Sequence, residues 1–166
     1  AAPPDAIADD TLRMLFLCSH PAVPPDARVP LLLKTVAGLG VPAIARALLQ
    51  KEATIAQRLV RAKAKLQGGD VAFELPAAER LHERLETVLA TVYLVFNEGY
   101  RAHVGEHLVR GELVGEAVRL GLLLLDLPTT ATKEVHALLA LLLLLGARCE
   151  ARTDAHGDLL TLAEQD

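Results

Sequence analysis

The chain has 166 residues and a mass of 17.8 kDa, enough for one ordinary domain or two small helical ones without disulfide support. Hydrophobic residues make up 52% of it and aromatic residues only 3%, so we expect packed helices with a core of leucine, alanine and valine. The net charge of −4 argues against a protein that coats nucleic acid or an anionic membrane. This average hides a split: the first 70 residues hold nine basic and six acidic side chains, and the remainder holds eight and fifteen.

Proline and glycine divide the first half of the chain into four segments of helical length. Helices are predicted from Asp10 to about Cys18, from Pro25 or Asp26 to about Gly38, from Val41 to Leu49 and from about Glu52 to Gln67. Pro30 lies within the second segment and lacks a backbone N–H, so we expect it to kink that helix or delay its start. A glycine pair and a polar, acidic joint then separate this half from the next.

The second half predicts longer and more apolar helices. They run from Ala77 to about Phe96, from Leu108 to about Asp126 and from Thr132 to about Glu150, with a last short helix from Leu159 onward. The polar residues 97–100 are interpreted as a connection between the first two. No segment alternates with period two, so almost no strand is expected. The predicted fold class is all-α: a helix-turn-helix domain over residues 1–69 and a helical-hairpin extension over residues 70–166.

Two features bear on the cellular environment. The longest apolar run, Ala137 to Ala147, has eleven residues, whereas a membrane span needs about 18 or more. It therefore predicts a buried helix and no membrane association. Cys18 and Cys149 are too few and too far apart to form a disulfide framework, and we interpret them as reduced core thiols.

The most informative stretch is residues 38–65, because it places two short helices around a tight turn, as in a helix-turn-helix. On a helical wheel Ile55, Leu59 and Ala62 share one side of the second helix and form an apolar seam. The opposite side is small, polar and basic, and residues 51–67 carry five basic side chains and one acidic one. Such a helix can enter the major groove, where Arg61 would bind guanine and Gln57 adenine.

Several spaced motifs resemble a known family. Residues 10–21 (DTLRMLFLCSHP), 31–39 (LLLKTVAGL), 44–48 (IARAL) and 52–63 (EATIAQRLVRAK) resemble region four of an extracytoplasmic-function sigma factor. Residues 93–100 (YLVFNEGY), 113–120, 151–154 and 157–159 are similar to the C-terminal extension, likened to TPR repeats, that one subgroup of these factors carries. The resemblance covers nearly the whole chain.

The resemblance implies that the second helix reads the minus-thirty-five promoter element while the outer surface meets the flap of the RNA polymerase β subunit. It places base contacts at Gln57 and Arg61 and phosphate contacts at Thr54, Arg58 and Lys65, with Lys63 on the other flank. It implies a cytoplasmic, non-catalytic protein without cofactor or metal. Region two, which docks on core polymerase, is absent from these residues, so we expect this chain to be a fragment or a processed piece.

The sequence departs from the family pattern where the two helices begin. Residues 40–43 read Gly-Val-Pro-Ala where many relatives carry Ser-x-x-Glu, and Pro30 is also unusual. These departures concern the helix starts and leave the recognition face intact.

Other functions remain open at this stage. A ligand-sensing repressor of the TetR type also joins a helix-turn-helix to an apolar helical body, and a helical interaction module could use the basic helix to meet acidic protein. Residues 103–107 (HVGEH) match the His-x-x-Glu-His pattern of a zinc peptidase. Gly105 interrupts that motif, and a helix connection is the better interpretation.

Overall fold

The chain folds into helices, as its composition predicts, in a computed structural model that describes residues 7–67, 75–77, 80–101, 110–152, 154 and 160–165. Within these residues there is no strand, which agrees with the all-α prediction. The helices are α1 (Asp10–Cys18), α2 (Pro25–Thr35), α3 (Val41–Ala47), α4 (Glu52–Gln67), α5 (His82–Tyr100), α6 (Gly111–Asp126), α7 (Lys133–Gly146) and a short 3₁₀ helix (Glu150–Arg152).

Helices α1 to α4 begin where the sequence predicts, because local signals mark each start. Asp9 caps α1 through a 2.9 Å hydrogen bond that its side chain accepts from the Leu12 backbone N–H. Prolines occupy the first turns of α2 and α3, where no helical partner for an N–H is needed. Pro30 lies inside α2 without delaying its start. Both α2 and α3 end two or three residues earlier than predicted.

Helix α5 is the centre of the structure. It packs against α1, α2 and α3 on one side and against α6 and α7 on the other. Val88, Val92 and Phe96 of this helix are completely buried, and they belong to the same apolar core as Phe16 of α1 and Leu120 of α6. The first half and the extension therefore share one continuous core.

Polar contacts fix both ends of α5 to the first half. The buried Arg84 donates a 2.7 Å hydrogen bond from Nη1 to the backbone carbonyl of Phe16, near the end of α1. A cation at this position also interacts favourably with the negative end of the α1 dipole. At the other end, Glu98 lies 3.7 Å from Arg46 of α3.

The predicted connection at residues 97–100 is wrong, because these residues form the last turn of α5. Their polar character has a tertiary reason. Glu98 faces Arg46, and a Cβ added to Gly99 would lie 2.9 Å from the Arg110 carbonyl oxygen and 2.9 Å from the Leu113 Cβ. Tyr100 stacks on Phe96 with the ring centroids 5.5 Å apart. The motif thus joins α5 to α3 and to α6 from within the last turn of the helix.

Other boundaries in the second half also differ from the prediction. Helix α5 begins at His82 rather than Ala77, and α6 begins at Gly111 rather than Leu108. Helix α7 ends at Gly146 rather than about Glu150, before a turn and the 3₁₀ helix. Residues 160–165 form a turn instead of the expected last helix.

Helix α7 is not the buried helix that its apolar run predicts. Val135, Leu139 and Leu142 are buried, whereas Leu141, Leu143 and Leu144 are 42%, 49% and 72% exposed. Leu122 of α6 is also exposed. No helix among the described residues has both the length and the apolar character needed to cross a bilayer.

The close crossing of α5 and α6 gives a test of the fold. Replacing Gly99 with alanine would force the two backbones apart and should lower the free energy of unfolding by about 1–3 kcal/mol. The matched control is Gly115→Ala in α6, since no atom lies within 4 Å of an added Cβ there. That substitution should leave stability unchanged or raise it by up to about 1 kcal/mol through helix propensity. Urea unfolding measures both, and equal effects would contradict the crossing.

A second interaction makes stability depend on pH. Besides capping α1, Asp9 accepts a hydrogen bond from Nη1 of Arg119 in α6, and Glu116 binds the same guanidinium. The hydrogen bond from Arg119 holds the pKa of Asp9 below its ordinary value. The carboxylate is therefore more stable in the folded chain than in the unfolded one, and it ties α1 to α6.

The contribution of Asp9 predicts a direction in which the free energy of unfolding changes with pH. The stabilisation from Asp9 is complete above its unfolded-state pKa of about 3.9 and is lost as the pH falls through the lower folded-state value. Asp9→Asn keeps a capping side chain but removes the charge. Between about pH 5 and about pH 2, the free energy of unfolding should therefore fall less for Asp9→Asn than for the original chain. If the free energy of unfolding fell equally for both chains over this range, the stabilising contact between Asp9 and Arg119 would be excluded.

Candidate nucleic-acid interface

Helices α3 and α4 form a helix-turn-helix whose turn contains Leu49 with φ of 53°. The Gln50 N–H donates a 2.9 Å hydrogen bond to the Ala45 carbonyl, and the Leu49 N–H donates one of 3.2 Å to that of Arg46. This pair of bonds is the Schellman arrangement that ends a helix and usually places glycine where Leu49 lies. The turn thereby connects α3 to α4 within four residues, and the two helices pack against each other.

One side of α4 is closed by packing. Ile55, Leu59 and Ala62 are buried, and Leu66 is half-buried at the end of the same stripe. The helix packs against α2 and α3 through this side. These are the residues that the helical wheel assigns to the apolar seam, and that assignment is confirmed.

The opposite side of α4 is open to solvent. Val60 is 67% exposed and Arg61 64%, and Gln57 is exposed between them. Together with Ala56 they line a shallow depression of the surface. An exposed valine and exposed alanines on a helix face leave room for close approach by another molecule, because they project little from the backbone.

All six predicted DNA-binding residues lie on α4, but they differ in exposure. Gln57, Arg61, Lys63 and Lys65 are exposed, whereas Thr54 and Arg58 are half-buried. Their contacts with DNA stay predictions. The four exposed side chains are accessible without any rearrangement of the helices.

The structure adds Asp26, an acidic residue in the first turn of α2. Its Oδ2 lies 3.0 Å from Arg58 Nε and 3.9 Å from Arg61 Nη2. The Arg58 N–H is not aligned with the carboxylate, so this contact is an ion pair rather than a hydrogen bond. No sequence signal marks it, since the residues are far apart in the chain and meet only because α2 packs on α4.

Comparison with known families agrees with this geometry. Residues 13–66, which include most of α1 and all of α2 and α3, match sigma-70 region 4. Residues 84–166 match a family of unknown function, DUF6596. The chain belongs to that family, and its first half is a sigma-70 region 4 domain. Region 4 is a DNA-binding helix-turn-helix, so α4 corresponds to its recognition helix.

One relative matches both the region 4 domain and the extension. A protein of Rhizobium meliloti (strain 1021), named as uncharacterized, is 48% identical to this chain over 158 residues. The match covers 95% of this chain but 37% of that protein, so the chain spans little more than a third of its relative's length. No solved structure matches the chain.

A cleft lies between α3 of the region 4 domain and α5 of the extension. It has a volume of about 250 Å³, and its lining includes Arg46, Leu49, Tyr93 and Glu98. It is lined by both charged and apolar groups and lies beside the helix-turn-helix turn.

The sequence motifs for metal binding gain no support. The His-x-x-Glu-His stretch at residues 103–107 lies outside the described residues. Within the described residues, no group of three potential ligand side chains is close enough to hold a metal ion. Cys18 and Cys149 are both free, and burial raises the pKa of each thiol, which keeps it protonated and unreactive.

The two sides of α4 should respond differently to truncation. Gln57→Ala and Arg61→Ala remove exposed side chains and should change the free energy of unfolding by less than about 0.5 kcal/mol. Ile55→Ala in the same helix removes a completely buried side chain and should cost about 2–5 kcal/mol. Urea unfolding with circular dichroism checks both. A loss above about 1 kcal/mol in either exposed variant would mean that this face is structural.

Proposed function

We propose that this chain is the promoter-recognition part of a sigma factor of the extracytoplasmic-function type, and that α4 reads the minus-thirty-five element. The single observation that carries this proposal is the open face of α4, where Gln57 and Arg61 are exposed while the opposite side is buried. A helix anchored in this way can place one face in the major groove without unfolding anything.

The chemistry of the open face fits base edges. Arginine forks onto O6 and N7 of guanine, and glutamine pairs with N6 and N7 of adenine. Arg61 and Gln57 are one helical turn apart, so they would reach neighbouring base pairs. Val60 lies beside both and offers methyl groups that suit the thymine methyl. On the same face of α4, these three residues would therefore recognise bases through both hydrogen bonds and apolar contacts.

The flanking residues fit the phosphate backbone. Lys63 and Lys65 are exposed on either side of the open face, and Thr54 lies near the start of the helix on the Lys65 side. Phosphate contacts of this kind set the orientation and much of the affinity without reading sequence. The local basic charge supplies this attraction although the whole chain is acidic.

The proposed role is recruitment and involves no catalysis, cofactor or metal. The region 4 domain would bind promoter DNA and the β flap of RNA polymerase in the cytoplasm, and a region two elsewhere in the longer protein would complete the factor. The extension, which the resemblance likens to TPR repeats, would regulate the factor or dock a partner. Support for such coupling comes from α5, because it packs on the first three helices of the domain.

Selection from a random duplex library with the 166-residue chain tests the proposal directly. A preferred sequence should emerge, and Arg61→Ala should weaken binding to it by about 1–3 kcal/mol while relaxing preference at one base pair. Lys65→Ala serves as the matched cationic control. It should weaken binding to all duplexes alike and reduce the slope of log K against log salt by about one. Fluorescence anisotropy over a salt series measures both.

Two outcomes would contradict the assignment. If Arg61→Ala lowered the affinity for all duplexes equally, Arg61 would not be a base-contacting residue. Binding that collapses with salt but never prefers a sequence would favour the helical interaction module, whose basic helix meets any acidic partner.

A further inference from the structure

One carboxylate serves two arginines of the recognition helix. Asp26 lies in the first turn of α2, and its side chain is 47% exposed. Arg58 and Arg61 are three residues apart on α4, so both guanidinium groups project toward the same flank. Asp26 therefore sits at the edge of the surface that would face DNA.

The two ion pairs are unequal. Arg58 is 22% exposed with its Nε 3.0 Å from the carboxylate, whereas Arg61 is 64% exposed with its Nη2 3.9 Å away. A long pair between exposed groups contributes little and breaks readily. A shorter pair whose arginine is partly shielded from water is harder to separate, because the unpaired guanidinium of Arg58 would remain poorly solvated. Arg61 is thus free to exchange partners, and Arg58 is held.

This difference has a consequence for sequence selectivity. Every cation that reaches a phosphate raises affinity for all duplexes equally, so it adds nothing to the ratio of affinities. That ratio depends on how well Arg61 is placed against a base edge. A carboxylate beside the backbone also repels phosphate. Keeping Arg58 on Asp26 removes one such cation from the interface and leaves Arg61 oriented for a base edge.

We infer that Asp26 is a specificity-determining residue of the DNA interface: it withholds Arg58 from the phosphates and positions Arg61 until guanine replaces the carboxylate as its partner. The inference rests on the proposed function and changes the expected role of Arg58, which the family resemblance places on phosphate.

The test compares Asp26→Asn with Asp10→Asn in the 166-residue chain. Asp10 is an exposed acid in the first turn of α1, so the control makes the same change of charge in the first turn of another helix. Binding is measured by anisotropy over a salt series, on the duplex chosen from the random library and on a mixed-sequence duplex of equal length. Circular dichroism verifies that both variants fold.

Asp26→Asn should tighten binding to both duplexes and should steepen the salt slope by about one. The selected duplex should gain less, because Arg61 loses there the carboxylate that orients it for a base edge. The ratio of the two affinities should therefore fall about three- to tenfold relative to Asp10→Asn. Arg58→Gln alone should leave the ratio of the two affinities unchanged, because the carboxylate of Asp26 that it leaves without Arg58 repels the phosphates of both duplexes alike. Combined with Asp26→Asn, it should return the salt slope to that of the original chain, which isolates the effect to this pair.

The failures are distinguishable. If the original chain prefers its selected duplex and Asp26→Asn leaves the affinity ratio and the salt slope at the values of Asp10→Asn, the inference is wrong and the proposed function stands. If Arg58→Gln in the Asp26→Asn background leaves the steeper salt slope in place, Arg58 is not the cation that Asp26 withholds and the inference is again wrong. If the original chain shows no preference at all, the proposed function fails and takes the inference with it.

Discussion

The structure depends on the burial of α5 on two sides at once. This helix contributes Val88, Val92 and Phe96 to a core that continues into both halves of the chain, and its buried Arg84 is bound to the end of α1. Without α5 the first three helices would expose the apolar surface that it covers. The region 4 domain and the extension are therefore held in one arrangement by packing, rather than by a flexible joint.

That arrangement determines which surfaces remain free. The inner side of α4 is taken up by α2 and α3, and α5 packs on α1, α2 and α3 away from the outer side of α4. The face with Gln57 and Arg61 is left without a neighbouring helix among the described residues. The same packing brings the start of α2 beside α4, so the carboxylate of Asp26 reaches both arginines. The open face and the acidic residue at its edge are thus two results of one helix packing.

The sequence predicted local structure better than tertiary contacts. Helix α4 was predicted at its observed bounds, because a strong apolar stripe runs its whole length and a glycine pair follows it. The turn at residues 97–100 was predicted wrongly, since a glycine among polar residues usually ends a helix. Here Glu98 and Gly99 are explained only by α3 and α6, which no local pattern reveals.

The candidate site shows the same limit. The helical wheel identified its exposed and buried sides, because both follow from a period of 3.6 residues. The ion pair with Asp26 joins residues about thirty positions apart and depends on how two helices meet. The exposure of Leu144 could not be predicted either, because an unbroken leucine run looks alike whether one or both sides of its helix are covered.

The uncovered leucines of α7 give this molecule two surfaces with opposite responses to electrolyte. Added ions screen the cations of α4 and weaken their attraction to a charged polymer. Strongly hydrated anions such as sulfate have the reverse effect on Leu141, Leu143 and Leu144, since they favour withdrawal of apolar side chains from water. High concentrations of sulfate would accordingly weaken the electrostatic attraction of α4 while strengthening the tendency of these leucines to be buried.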